Sequence, residues 1–233
     1  MPARIEIFDS VPLLAHAAAK YLARAIALAI DERGWCQFAL PGGPFVRPIY
    51  TELAQFQLRW SDVTFYFTDE RCVPITHPAS NYGEAVDKFM KNPRIDLHQF
   101  RRIEGERADR DEAAGEYARM LPAALDIVLA ELGADGHIAG LYPGSLAMLE
   151  TERLVMPIQA PTRPVQRISV TPLVFTNALN VLVVATGRDR TASVARALGS
   201  TADIPANPGS LLHEATWFLD RDAARSLDAL RGS

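Results

Sequence analysis

The stretch Leu125-Asp126-Ile127-Val128-Leu129, followed at once by Leu132-Gly133-Ala134-Asp135-Gly136-His137-Ile138-Ala139, is the part of the chain most diagnostic of its fold. Its first part is an apolar run that reads as a buried strand over residues 127–129. Its second part is a glycine-flanked turn that carries a carboxylate and a histidine two residues apart. Polar side chains in a turn directly after a buried strand belong to the carboxyl edge of an open α/β sheet, which is where such sheets bind ligands. His137 is therefore the first candidate for acid/base work, because imidazoles change charge near neutral pH. Two glycines let the backbone come close to a substrate. Taken by itself, a single histidine in a tight turn is more often a capped or solvated residue than a catalyst.

The same strand-then-turn pattern recurs along the rest of the chain. A first strand near residues 4–8 leads to a long alanine- and leucine-rich helix over residues 13–32, with Asp9 or Ser10 as its cap and Gly34 as its stop. Runs at 36–40, 63–67, 181–185 and 216–219 read as further strands, several apolar on both faces. Helices are expected at 48–57, at 82–90 capped by Ser80, at 110–121 capped by Asp109, at 191–198, and at 222–230 capped by Asp220 or Arg221. The proline-containing stretches 157–164 and 204–208 read as long loops. This alternation predicts one three-layer α/β/α domain over residues 1–233, Rossmann-like, with a mostly parallel sheet.

Composition narrows the functional classes. A formal net charge of −4 argues against nonspecific binding to nucleic acid or to a membrane surface, both of which call for basic faces. An anionic ligand must then be held by local arginines. The two cysteines, Cys36 and Cys72, fall in or beside expected strands and suggest neither a disulfide framework nor a metal cluster. The N-terminus lacks a signal-peptide core, and no segment approaches ~18 uninterrupted apolar residues, so the expectation is a soluble cytoplasmic protein.

The residues immediately after each strand are more informative. The strand at 36–40 runs into Pro41-Gly42-Gly43, that at 63–67 into Thr68-Asp69-Glu70-Arg71, that at 127–129 into the histidine turn, and that at 181–185 into Thr186-Gly187-Arg188-Asp189-Arg190. Ends of parallel strands converge in space, so these four elements are expected to share one pocket.

In order along the chain stand Pro41-Gly42-Gly43-Pro44-Phe45-Val46, Asp69-Glu70-Arg71-Cys72-Val73-Pro74 with Ser80-Asn81-Tyr82, Gly133-Ala134-Asp135-Gly136-His137-Ile138-Ala139, Arg167-Ile168-Ser169 and Thr186-Gly187-Arg188-Asp189-Arg190. Together these resemble the 6-phosphogluconolactonase family, which shares a superfamily with the glucosamine-6-phosphate deaminases. The resemblance implies hydrolysis of 6-phosphoglucono-1,5-lactone to 6-phosphogluconate, with no metal or organic cofactor, by a monomer whose partner is the small-molecule sugar-phosphate lactone. Lactone opening needs a base for water, donors for the developing oxyanion and an anion site that orients the carbonyl. By residues and resemblance alike, His137 is the expected base. Asp135 either orients the imidazole or only forms the turn.

The resemblance further implies that Arg167 and Arg190 grip the phosphate, a task suited to forked donors, against the plain alternative of salt bridging. Asp69 matches the position of the proton-transfer aspartate of the deaminases. Arg71 either polarises the lactone carbonyl or pairs with Asp69 or Glu70. Gly42 and Gly43 belong to the phosphate loop. His16, His77, His98 and His213 lie outside these motifs and are assigned no chemistry.

Two elements, the first loop and Glu131, depart from the family pattern. Where family members carry Ser-Thr hydroxyls after the two glycines, this chain has Pro44 and Phe45, which remove hydroxyls and one backbone N–H. Arg47 is the expected substitute donor. Glu131 stands where the family commonly has glycine. Tyr142 occupies the place at which deaminases carry a glutamate that helps open the sugar ring, and a phenol near pKa 10 replaces that carboxylate poorly, so the pattern favours a lactonase. A sugar-phosphate binding homologue without turnover is the reading from another functional class.

Overall fold

The computed structural model describes residues 3–199 and 203–227. Nine strands and six α-helices are found among them. Six strands form one fully parallel sheet in the order β1-β9-β8-β5-β2-β3: β1 (Arg4–Phe8), β2 (Cys36–Leu40), β3 (Val63–Phe67), β5 (Ile127–Glu131), β8 (Val181–Ala185) and β9 (Thr216–Asp220). The central strands β5 and β8 read IVLAE and VLVVA, almost wholly buried, as strands covered by helices on both faces must be. From β2 the chain continues outward to β3, whereas β5, β8 and β9 grow in the opposite direction. The order therefore reverses between β2 and β5, and a crevice opens beyond their carboxyl ends.

The first helix, α1 (Val11–Arg33), is capped by the Ser10 hydroxyl and stopped by Gly34. Its length and hydropathy would suffice to cross a membrane. Here one face of it, including Leu14, Leu22, Ile26 and Ile30, is buried in the core instead. Each such side chain contributes about 1.5–3 kcal/mol of burial. The other helices are α2 (Arg47–Leu53), α3 (Asn81–Phe89), α4 (Arg110–Met120), α5 (Pro172–Thr176) and α6 (Thr191–Ala197). Ser80 and Asp109 cap α3 and α4 through the amides of Gly83 and Glu112, as the sequence predicts.

Four expectations need correction. The helix expected over 48–57 ends at Leu53, where Gln55 and Phe56 turn back onto the carbonyls of Glu52 and Leu53. Of the helix expected at 222–230, residues 222–226 form turns, Leu227 is helical, and 228–230 lie outside the described residues. The short helix α5 has no counterpart among the expected elements. The largest miss is a second sheet, antiparallel, in the order β4-β7-β6: β4 (Asp69–Arg71), β6 (Val155–Gln159) and β7 (Gln166–Val170). The stretch 157–164 expected as loop thus contains the end of β6. Pro157 signals a loop, yet it pairs with Ile168 on an edge strand, where a missing N–H faces away from the ladder. Both cysteines are free, Cys36 fully buried and Cys72 partly so.

This small sheet positions the site. The chain leaves β3 through Thr68 and enters β4 directly, and the β4–β7 register sets Arg71 opposite Arg167 and Asp69 opposite Ser169. Because side chains alternate along a strand, Asp69, Arg71 and Arg167 share one face.

Candidate active site

A cleft of about 220 Å³ lies at the crevice between β2 and β5, walled on one side by the small sheet. It brings together Gly42 and Gly43 after β2, Asp69 and Arg71 on β4, Glu131 at the end of β5, His137 beyond it, Arg167 on β7 and Arg190 after β8. A larger cavity of about 810 Å³, bordered by α1 and β1, contains none of the motif residues.

The histidine turn is closed by Asp135. Its Oδ1 accepts the His137 backbone N–H at 3.1 Å and meets the ring Nδ1 at 2.5 Å. Asp135 is therefore both turn-former and ring-orienter. Partial burial alone would raise its pKa, but the hydrogen bonds and charge of His137 outweigh that and hold the carboxyl below its ordinary value. The ionised carboxylate accepts from Nδ1–H, so in the neutral imidazole Nε2 is the nitrogen that carries the free lone pair. Gly133 is required by close approach: a Cβ there would meet His137 Nδ1 at 2.1 Å. The far ring face is covered by Tyr142, with centroids 4.7 Å apart, and the Arg167 guanidinium lies 5.6 Å from that phenol ring. Burial pushes the Tyr142 phenol up, against the pull of Arg167. Between them the chain makes a tight Ile138–Leu141 turn in which Ala139, lining the cleft, adopts φ 50°. A left-handed non-glycine residue is costly and marks a backbone held in place by its surroundings.

On the facing wall, Asp69 is buried and accepts from Asn81 Nδ2 at 3.1 Å. Its Oδ2 stands 3.9 Å from both Arg71 Nε and Arg167 Nη1. Arg71 also donates to the Ala79 carbonyl at 2.9 Å, while its buried Nε has no hydrogen-bond partner. Arg167 donates to the Pro164 carbonyl and the Thr162 hydroxyl from the β6–β7 connection. Glu70, by contrast, faces away into structure, accepting the amides of Arg71, Asn81 and Tyr82 at 2.8 Å each. Burial raises its pKa against these amides. It anchors the start of α3.

The side of the cleft expected to hold an anion departs most from expectation. Arg190 spends Nε on the Leu132 carbonyl at 3.0 Å and Nη1 on Asp189 at 2.8 Å, and its guanidinium lies over the Phe45 ring at 4.4 Å. Glu131 Oε1 stands 3.6 Å from Arg190 Nη2. Burial pushes Glu131 up to about 7, opposed by Arg190 and the Phe45 amide and assisted by Glu84. Gly43, at φ 134°, has to be glycine on two counts, since a Cβ would also strike Glu131 Oε2 at 2.3 Å. The expectation that Arg47 replaces the loop's lost donors is corrected: α2 begins at Arg47, its guanidinium is bonded to Glu84 on α3, and it does not line the cleft.

Neither Thr162 nor Asn81 stands out in the sequence as a contact of the site. Thr162 sits in a stretch that reads as plain loop, and Asn81 reads only as one member of a longer motif.

The chain matches the family model described as glucosamine-6-phosphate isomerases/6-phosphogluconolactonase over residues 9–217. It is 32% identical over 249 residues to the 6-phosphogluconolactonase of Rattus norvegicus, covering 97% of this chain and 94% of that one. It is 31% identical over 247 residues to the 6-phosphogluconolactonase of Mycobacterium tuberculosis, covering 97% and 99%. The fold superposes on the 6-phosphogluconolactonase structure from Trypanosoma cruzi with a TM-score of 0.86 at 23% identity, covering 97% of each chain. With its cleft at the β2/β5 crevice and this match along nearly its whole length, the chain belongs to the glucosamine-6-phosphate isomerase/6-phosphogluconolactonase family.

Proposed function

We propose that the chain hydrolyses 6-phosphoglucono-1,5-lactone to 6-phosphogluconate, the second step of the oxidative pentose phosphate pathway, with His137 as general base. The observation that carries this reading is the 2.5 Å contact of His137 Nδ1 with Asp135 inside a cleft that also holds Arg71, Arg167 and Arg190. His137 Nε2 takes a proton from a water that attacks the lactone carbonyl. Arg71, with an unpartnered buried Nε, meets the oxyanion. The tetrahedral intermediate then collapses, the bond to the ring oxygen breaks, and that oxygen receives the proton from the imidazolium. Arg167 and Arg190 hold the phosphate, and Asp69 keeps Arg71 and Arg167 apart and oriented. The names of the rat and mycobacterial relatives support the substrate class. One chain supplies base and cations, which suits a cytoplasmic monomer.

A deaminase reading is weaker because Tyr142, packed face to ring on His137, stands where that chemistry calls for a carboxylate. The test is hydrolysis of the phosphorylated lactone, corrected for spontaneous opening, by the protein and by its His137→Asn variant. The variant is expected to lose about 10²-fold or more in kcat/KM with an unchanged circular-dichroism spectrum. Near-normal turnover would remove His137 from the base role, and no turnover by the unmodified protein would reject the function.

A further inference from the structure

The anion side of the cleft contains a carboxyl group that the hydrolytic step does not use. Glu131 ends β5 with a side chain only 12% exposed. Its Oε2 is buried without a hydrogen-bond partner and lies against the backbone of Gly43, in the loop where family members cradle phosphate. Its Oε1 is 3.6 Å from Arg190 Nη2, too long for a hydrogen bond. The other donors of Arg190 are committed to Leu132 and Asp189, and Phe45 covers its face. A phosphate that reaches Arg190 through Nη2 must therefore also meet Glu131.

Resting on the phosphorylated-lactone reading above, we propose that Glu131 is a specificity residue which binds the substrate's phosphate in its carboxylic acid form, donating its proton to a phosphate oxygen. The phosphate thus binds together with one proton drawn from solvent, and no covalent bond changes. An ionised carboxylate facing a phosphate dianion would be repelled in a site shielded from water, whereas a carboxylic acid offers a short O–H···O⁻ bond to replace a donor lost at Pro44 and Phe45. Burial makes the proton available: it pushes Glu131 up to about 7 even though Arg190 from the turn after β8, the Phe45 amide and Arg71 from β4 all favour the anion, with Glu84 from α3 opposing it. Glu84 itself is paired with Arg47 from α2. Asp69 and His137 line the same cleft, and Tyr50 from α2 feels the Glu131 charge.

Affinity then depends on pH with a definite sign. Below about pH 7 Glu131 already carries the proton and phosphate binding is at full strength. Above it, affinity for the phosphorylated ligand falls toward tenfold per pH unit, because the proton must be recovered at each binding event. A ligand without phosphate shows no such loss through Glu131.

Titration calorimetry of 6-phosphogluconate at pH 8, in two buffers of different ionisation enthalpy, reads the proton directly. The unmodified protein is expected to take up close to one proton per ligand. Glu131→Gln, which keeps a donor and cannot titrate, should take up almost none and bind about tenfold more tightly at that pH. Gluconate serves as the phosphate-free control and should show no uptake. Absence of uptake by the unmodified protein, or equal uptake by Glu131→Gln, overturns the proposal; the first result needs no variant. If neither protein binds 6-phosphogluconate at pH 6 or pH 8 while glucono-1,5-lactone is still hydrolysed, the phosphorylated-substrate reading fails and takes this proposal with it.

Discussion

The two ends of the cleft are built differently. The end proposed for hydrolysis comes from one short stretch after β5, in which Asp135 closes the turn and contacts the His137 ring, and Tyr142 backs that ring. The anion end is assembled from distant pieces: Phe45 after β2, Glu131 at the tip of β5 and Arg190 after β8. Hydrogen bonds within residues 133–141 shape the first, and Gly140 ties it to Ser169 on β7. The second depends on strand order, and a change at Phe45 is felt by an arginine far along the chain.

Substitutions at each end should have separable effects. Arg190→Gln removes a forked cation from the anion end and is expected to raise KM for the phosphorylated lactone about ten- to hundredfold with little change in kcat. An equal effect on unphosphorylated glucono-1,5-lactone would show that the two ends are not separable. Asp135→Asn leaves a side chain able to form the turn but unable to hold the imidazole as an anion does. Steady-state kinetics should show kcat falling about tenfold on both lactones alike, with KM nearly constant. A loss confined to the phosphorylated substrate would place Asp135 at the wrong end. The smallest effect is expected from Phe45→Thr, which removes the ring from the face of Arg190 and restores a hydroxyl. It should lower KM for the phosphorylated lactone by about fivefold.

The same contrast explains what the sequence disclosed. The parallel sheet was legible because apolar runs such as VLVVA have no other stable setting, and helix caps such as Ser80 and Asp109 announce themselves one residue ahead. The histidine turn was legible because its partners lie within a few residues. The antiparallel sheet was hidden, since β4 has three residues and β6 carries a proline that ordinarily marks a loop. With it went the register that places Arg71 opposite Arg167. Arg47 was misplaced for a related reason. Its neighbourhood in sequence is the glycine loop, but its neighbour in space is Glu84 on α3, and only packing of α2 against α3 decides between them. Glu131 was visible as a departure, while its contact with Gly43 and its distance from Arg190 required the strand ends to be brought together.

If one cleft joins a histidine-based hydrolytic end to a phosphate-holding end, holding the phosphate must raise kcat/KM for the phosphorylated lactone. The decisive quantity is kcat/KM of the unmodified protein on 6-phosphoglucono-1,5-lactone and on glucono-1,5-lactone, both corrected for spontaneous opening. A preference for the phosphorylated lactone of about 10²-fold or more is expected. Equal values, or a preference for the unphosphorylated lactone, would show that the two ends do not work as one site.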